Sequence, residues 1–263
     1  MAETVEAARA ELVPAQVVAR DAAVLTAANG LRYAAYGDVR TGEAELRRMV
    51  ESVPLAMAGA LKNKVYYFVP LTIAEGAELK ATPAHGGETL VAPEFTVEWG
   101  DRAVCHRNVE LGETDGVFIS TQLMNDRFAL AFEFAINVGH AVVDGIGVPE
   151  SFSAMVWKQA EAQVKGETSQ DAWESRGRAM TMDGDRRPRV DEKEKSVYLE
   201  CAFADAIAIY LLSLTVDFDY AELREREYPM LTPQALGDRL KHVAGLFPPN
   251  EGYEFAVLYR RRA

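Results

Sequence analysis

The residues with the clearest potential for chemistry are His140 and Asp144, which lie in the sequence His-Ala-Val-Val-Asp-Gly. A neutral imidazole can act as a general base and remove a proton from an attacking hydroxyl, amine or thiol group. A carboxylate four residues later can organise the segment that carries the ring. The pattern therefore predicts a catalytic base with its own organising residue.

The elements around this pair determine whether the ring can reach a substrate. Apolar residues occupy every even position from 128 to 138, which favours a β-strand. Ile136, Val138 and His140 then share one face of the strand, so the imidazole would emerge at the end of a buried row, shielded from water. We expect a strand before it at residues 116–123, a turn at 124–127, and a helix from Pro149 to about residue 165.

The segment from His140 to Gly145 resembles the His-x-x-x-Asp-Gly motif of the chloramphenicol acetyltransferase-like acyltransferases. The resemblance covers about residues 116–165, including the hairpin before the motif and the helix after it. It implies that His140 is the general base, that Asp144 holds the loop through an ion pair, and that Gly145 permits a tight exit. It also implies an acyl donor of the coenzyme A or carrier-thioester type. The function expected from it is acyl transfer.

The same residues also permit a helix from 128 to 145, because its alanines have high helix propensity and Asn125 or Asp126 could cap it. Glu133, Asn137, His140 and Asp144 would then form a narrow polar stripe on an apolar helix. In a helical bundle, Glu133, His140 and Asp144 could bind a metal ion together with Glu200 and Asp205. No His-Glu-x-x-His or Glu-x-x-His pattern supports such a site.

The order of predicted elements indicates an α+β fold with a central, mainly antiparallel sheet and helices at both ends. We expect an α+β domain at residues 1–165, a charged connection at 166–195, and a mainly helical region at 196–263. The pattern favours further helices at residues 3–28, 43–61, 196–214 and 233–244, and further strands at 65–73, 94–99 and 253–259.

Composition limits the classes of partner. The 263 residues carry a formal net charge of -12, which disfavours a nucleic-acid partner. The start of the chain is acidic, no uninterrupted apolar run reaches the roughly 18 residues of a membrane span, and the chain has two cysteines. These features predict a cytoplasmic protein with no membrane partner. Small-molecule substrates are compatible with them.

A third class of function is a noncatalytic binding or assembly protein. The strongly apolar residues 207–212 are most simply a core helix, but such a helix could also pack against another copy of the chain. Self-association would also serve the acyltransferase hypothesis, because a site formed between subunits needs fewer residues from each chain.

Overall fold

The structure is a computed structural model that describes residues 12–74, 89–100, 103–122, 127–182, 188–218, 220 and 228–256. Its α+β class agrees with the prediction. Within the described ranges the helices are α1 (Ala15–Asp21), α2 (Glu43–Glu51), α3 (Ala58–Leu61), α4 (Val97–Gly100), α5 (Arg127–Ile146), α6 (Glu150–Glu161), α7 (Gln170–Ala179), α8 (Glu192–Thr215) and α9 (Pro233–Leu246). A 3-10 turn at Leu55–Met57 precedes α3.

The strands described in the same ranges are β1 (Val13–Pro14), β2 (Leu25–Thr26), β3 (Arg32–Ala35), β4 (Lys64–Val69), β5 (Leu71–Ala74), β6 (Thr89–Ala92), β7 (Ala103–Val104), β8 (His106–Leu111), β9 (Thr114–Ser120), β10 (Met180–Met182) and β11 (Pro188–Val190). The chain divides into two compact units. The first comprises residues 1–50 and 63–130, and the second comprises residues 51–62 and 131–263. The boundary expected at residue 165 falls inside the second unit, and the expected connection contains α7 and the β10–β11 hairpin.

The described residues of the first unit form two sheets. The five-stranded sheet has the order β2-β3-β4-β9-β8, and the four-stranded sheet has the order β1-β6-β5-β7. The four-stranded sheet is antiparallel. The larger sheet is mixed, because β4 pairs in parallel with both β3 and β9. All six residues of β4 are buried, which explains why residues 65–69 are continuously apolar and aromatic rather than alternating.

The second unit is mainly helical, and its helix starts follow from local sequence. Ser169 caps α7 by accepting a hydrogen bond from the Ala172 N–H, and Asp191 caps α8 through the N–H groups of Lys193 and Glu194. Pro233 occupies the first turn of α9, where its missing N–H costs nothing. The helices expected at 196–214 and 233–244 are confirmed, as is the one beginning after Pro149.

Two helical stretches, Phe128–Ile146 and Glu192–Thr215, are long and apolar enough to span a membrane by length and composition alone. Half of the most apolar window of the first stretch is buried within the chain, and 67% of that of the second. Core helices of water-soluble domains meet the same criterion, so the cellular location stays a prediction.

Several expected elements are wrong. Residues 94–99 contain the short helix α4 instead of a strand, and residues 253–256 are not a strand. The predicted helix at 3–28 is replaced, over its described part, by β1, α1 and β2. The helix predicted at 43–61 is interrupted, because α2 ends at Glu51 and Pro54 begins the 3-10 turn that leads into the separate helix α3. The turn expected at 124–127 lies almost entirely outside the described residues, as do residues 257–259.

Candidate functional site

The predicted strand at residues 128–138 is wrong, because the whole segment belongs to α5. The buried apolar positions of this helix recur with helical rather than strand spacing: Leu130, Ala131, Phe134, Ala135, Val138, Ala141 and Val142. The alternation in the sequence was weak evidence because the odd positions are mostly alanine, which is itself apolar and favours helix. The helical alternative therefore describes the backbone of this segment.

The three residues predicted to be catalytic lie near the C-terminal end of α5. His140 is half-buried, whereas Asp144 and Gly145 are exposed. An imidazole on a helix face cannot occupy the shielded end of a strand, so the arrangement that motivated the general-base role is wrong. Gly145 has a packing role instead, since a Cβ atom at this position would lie 2.8 Å from the Ala60 carbonyl oxygen of α3.

The polar stripe expected on this helix is present, and its first two members interact. Asn137 is buried and donates through Nδ2 to the Glu133 carbonyl oxygen at 2.8 Å and to Glu133 Oε1 at 3.1 Å. Glu133 and Asp144 are eleven residues apart, which is about 16 Å along a helix axis. That separation is too large for both to bind one ion.

The proposed additional metal ligands do not complete a site either. Glu200 accepts a hydrogen bond from Ser196, and Asp205 accepts one from Thr168. No group of three or more histidine, cysteine, aspartate or glutamate side chains suited to a metal ion occurs among the residues that the structure describes. The geometry therefore gives no support to the helical metal site.

A buried charge cluster lies in the second unit, and sequence analysis missed it. Its centre is Glu167, between α6 and α7, whose carboxylate is fully buried. Arg239 on α9 donates to Glu167 Oε2 at 2.8 Å and to Oε1 at 3.4 Å, and Arg176 on α7 donates to Oε1 at 3.0 Å. The Tyr198 hydroxyl on α8 donates to the same oxygen at 2.7 Å. Glu167 is thus the shared acceptor of three helices.

The two arginines of this cluster have further partners. Arg239 donates through Nε to Gln159 Oε1 at 2.8 Å, and its second terminal nitrogen also reaches the Tyr198 hydroxyl at 3.2 Å. Arg176 donates to the carbonyl oxygens of Gly166 and Ala160. Buried polar groups satisfied in this way hold elements in one arrangement. We assign the cluster a structural role, because both carboxylate oxygens of Glu167 are engaged.

Hydrogen bonds also fix the backbone around Glu167. Its N–H donates to the Pro229 carbonyl oxygen, and its own carbonyl oxygen accepts from the Leu231 N–H. Gly166 has a φ of +83°, and a Cβ atom there would lie 1.9 Å from the Met230 carbonyl oxygen. The connection before α7 therefore requires glycine at 166.

Asp205 on α8 lies beside this cluster. Its Oδ2 accepts a hydrogen bond from the Thr168 hydroxyl at 2.7 Å. Desolvation by burial raises the pKa of Asp205 to about 6, against the opposing effects of Ser169, Thr168 and Arg239. Burial likewise raises the pKa of Tyr198, which keeps its hydroxyl protonated and able to donate to Glu167.

An exposed apolar surface lies where α3 and α5 meet, and we call it the apolar end. Its members are uncharged and exposed: Leu55, Ala56, Gly59, Ile146 and Gly147. Leu55 is 64% exposed and Ile146 is 52% exposed. The close approach of Gly145 to Ala60 brings the two segments that carry these residues into contact.

Asn250 fixes the segment that carries Leu55. Its Nδ2 donates to the carbonyl oxygens of Glu51 and Val53 at 2.9 and 2.8 Å, and its Oδ1 accepts from the Leu55 N–H at 2.9 Å. The backbone at Leu55 is therefore fixed by hydrogen bonds, while the Leu55 side chain is exposed.

Comparison with known proteins identified no relative. No family model, no curated protein and no solved structure matches the chain.

Proposed function

We propose that this protein is a noncatalytic assembly or binding protein that associates with a second copy of itself through the apolar end. The observation that carries the proposal is the pair of large apolar side chains, Leu55 and Ile146, exposed on this fixed surface. Exposed apolar patches of this kind mark protein–protein contacts. A prepositioned surface also loses less conformational entropy when it binds.

The shape of the apolar end supports a second copy as the partner. Leu55 and Ile146 protrude, whereas a Cβ atom at Gly59 or Gly147 would meet no atom within 4 Å. A two-fold contact places the same patch on both subunits, so protruding side chains and open positions on one patch can fit each other.

The proposal can be tested by introducing a negative charge into the apolar end. We expect Ile146→Glu to convert a dimer into a monomer in sedimentation velocity, since the contact would bury two like charges without partners. Ile146 is the last residue of α5 and is exposed, so folding should be retained by circular dichroism. Leu55→Glu supplies an independent change on the same surface.

The matched control is Val97→Glu, at a residue that is 76% exposed in the first unit. It adds the same charge at a residue that is not a member of the apolar end and should leave the sedimentation coefficient unchanged. A monomeric wild-type protein at every concentration, or a dimer that survives both Ile146→Glu and Leu55→Glu, would contradict the proposal.

The acyltransferase hypothesis stays a prediction without support from the geometry of α5. It can be assessed directly by following release of free thiol from acyl-coenzyme A. Thiol release that is lost in His140→Ala, with the fold retained, would favour acyl transfer over a noncatalytic role.

A further inference from the structure

A buried histidine joins the two sheets of the first unit. Nδ1 of His106, on β8 of the five-stranded sheet, is hydrogen-bonded at 2.7 Å to the hydroxyl oxygen of Thr89, on β6 of the four-stranded sheet. We propose that this contact is acid-sensitive: it holds the two sheets together while the imidazole is neutral and loosens when the imidazole gains a proton. Both strands belong to the first unit, whereas the apolar end lies in the second.

Both partners of this contact are shielded from water. His106 is 5% exposed and Thr89 is 7% exposed. The Cα partner of His106 on β9 is Phe118, so the two side chains lie on the same face of the sheet. Phe118 belongs to the same apolar cluster as Val91 of β6. The imidazole therefore lies beside an apolar core to which both sheets contribute.

The hydrogen bonding of the ring favours its neutral form. Nε2 of His106 is buried and has no hydrogen-bond partner among the described residues. A neutral ring can carry its proton on Nδ1 and donate to Thr89 Oγ1, which leaves Nε2 as an acceptor with no N–H to satisfy. A protonated ring carries an N–H on both nitrogens. Protonation would therefore bury a positive charge and leave the Nε2 donor without an acceptor, which is costly.

The charged groups near the ring do not offset this cost. Charged side chains occur on β8 itself and on the elements packed against it, α1 and β9: Arg107, Glu110, Arg20, Asp21 and Asp115. Arg20 and Asp21 pair with each other, and Asp115 pairs with Lys64. Burial lowers the pKa of His106 below the ordinary 6.5, and no carboxylate among the described residues opposes it.

The direction of the pH dependence follows from the lowered pKa. The unfolded chain binds this proton more tightly than the folded chain does, so protonation favours opening of the contact. The stabilisation is fully present above about pH 6.5, the pKa of the ring in the unfolded chain, and is lost as the pH falls through the lower pKa of the folded state. In acid the two sheets are therefore held together less firmly.

The experiment measures amide hydrogen exchange in β6 and β8 from pH 7.5 to 4.5, for wild type and His106→Asn at the same pH. The asparagine amide is neutral at every pH, and its nitrogen can donate to Thr89 as Nδ1 does. We expect the ratio of the wild-type rate to the variant rate to rise several-fold below pH 6.5. The rise is limited to roughly 100-fold at pH 4.5, because each pH unit contributes at most tenfold. A ratio that does not vary with pH would overturn the proposal.

The matched control is Ser120→Ala, which breaks another polar contact between the same sheets. The Ser120 hydroxyl on β9 accepts from the Thr72 N–H of β5 at 2.8 Å and lies 2.8 Å from the Thr72 hydroxyl. Neither side chain titrates between pH 4.5 and 7.5, and His106 is retained. The ratio of wild-type to Ser120→Ala exchange rates should therefore be constant with pH. A ratio that follows the same pH profile as that of His106→Asn would contradict the assignment to His106.

Nuclear magnetic resonance of the wild-type ring keeps the proposal testable if His106→Asn fails to fold. The imidazole resonances of His106 should stay at their neutral positions as the pH falls below 6.5, for as long as the amides of β6 and β8 remain protected from exchange. A ring that becomes protonated near pH 6.5 while these amides stay protected would overturn the proposal.

Discussion

Arg239→Met is expected to lower the free energy of unfolding by about 3–5 kcal/mol, because it leaves the buried Glu167 carboxylate without its main counterion. Methionine fills much of the volume of arginine, so the loss of stability reports the missing charge and hydrogen bonds more than the creation of a cavity. Domains of this size are stable by roughly 5–15 kcal/mol, so such a loss removes a large share. Urea denaturation followed by circular dichroism provides the measurement.

Arg178→Met is the matched control for this change. Arg178 on α7 forms ion pairs with Glu174 and Glu194, but its side chain is 52% exposed. Exposed ion pairs contribute about 0–1 kcal/mol, so the control should remain close to wild type. Equal effects of the two variants would show that the cluster around Glu167 does not hold the second unit together.

Gly139→Ala is expected to destabilise the protein by about 1–3 kcal/mol, since it forces α5 away from α8. The added Cβ atom would lie 2.5 Å from the carbonyl oxygen of Ala204, a backbone atom that cannot rotate aside. Thermal unfolding measured by calorimetry would report the effect as a lower melting temperature.

The same substitution at a glycine with free space around it should stabilise the protein instead of destabilising it. At Gly177, an exposed position of α7, an added Cβ atom meets no atom within 4 Å, and alanine has the higher helix propensity. We expect Gly177→Ala to stabilise the protein by roughly 0.5–1 kcal/mol. A Gly139→Ala variant as stable as Gly177→Ala would mean that α5 and α8 do not approach as closely as the structure places them.

Parts of the fold could be predicted because local sequence determines them. Helix α6 follows Pro149, and α9 follows Thr232-Pro233, where the first-turn proline marks the start. Strands β4 and β9 were predictable from their β-branched and aromatic residues. These signals depend on residues only a few positions apart.

Segment 128–145 was ambiguous for a physical reason. Its apolar residues fit both a period of two and a period of 3.6, because alanine between larger residues is compatible with either. The length of the run was the better guide, since the 18 residues from 128 to 145 exceed a typical strand. The catalytic interpretation of the motif that begins at His140 required a strand before it, whereas the structure places these residues on a helix.

The charge cluster could not be predicted because its partners are distant in the chain. Glu167 and Arg239 are 72 positions apart, and Glu167 lies in a stretch that reads as a charged connection. One feature of the sequence around Arg239 could have indicated the cluster. Arg239 occupies the buried face of α9, between Leu236 and Leu240, where a charged residue requires a buried partner.

Hydroxyl-radical footprinting at increasing protein concentration tests self-association through the apolar end most directly, because it reports the solvent exposure of individual side chains. We expect oxidation of Leu55 and Ile146 to fall as the mass measured by light scattering rises from 29.0 kDa towards twice that value, while oxidation of Val97 stays constant. Unchanged oxidation of Leu55 and Ile146 across that range, whether the mass rises or not, would contradict the account.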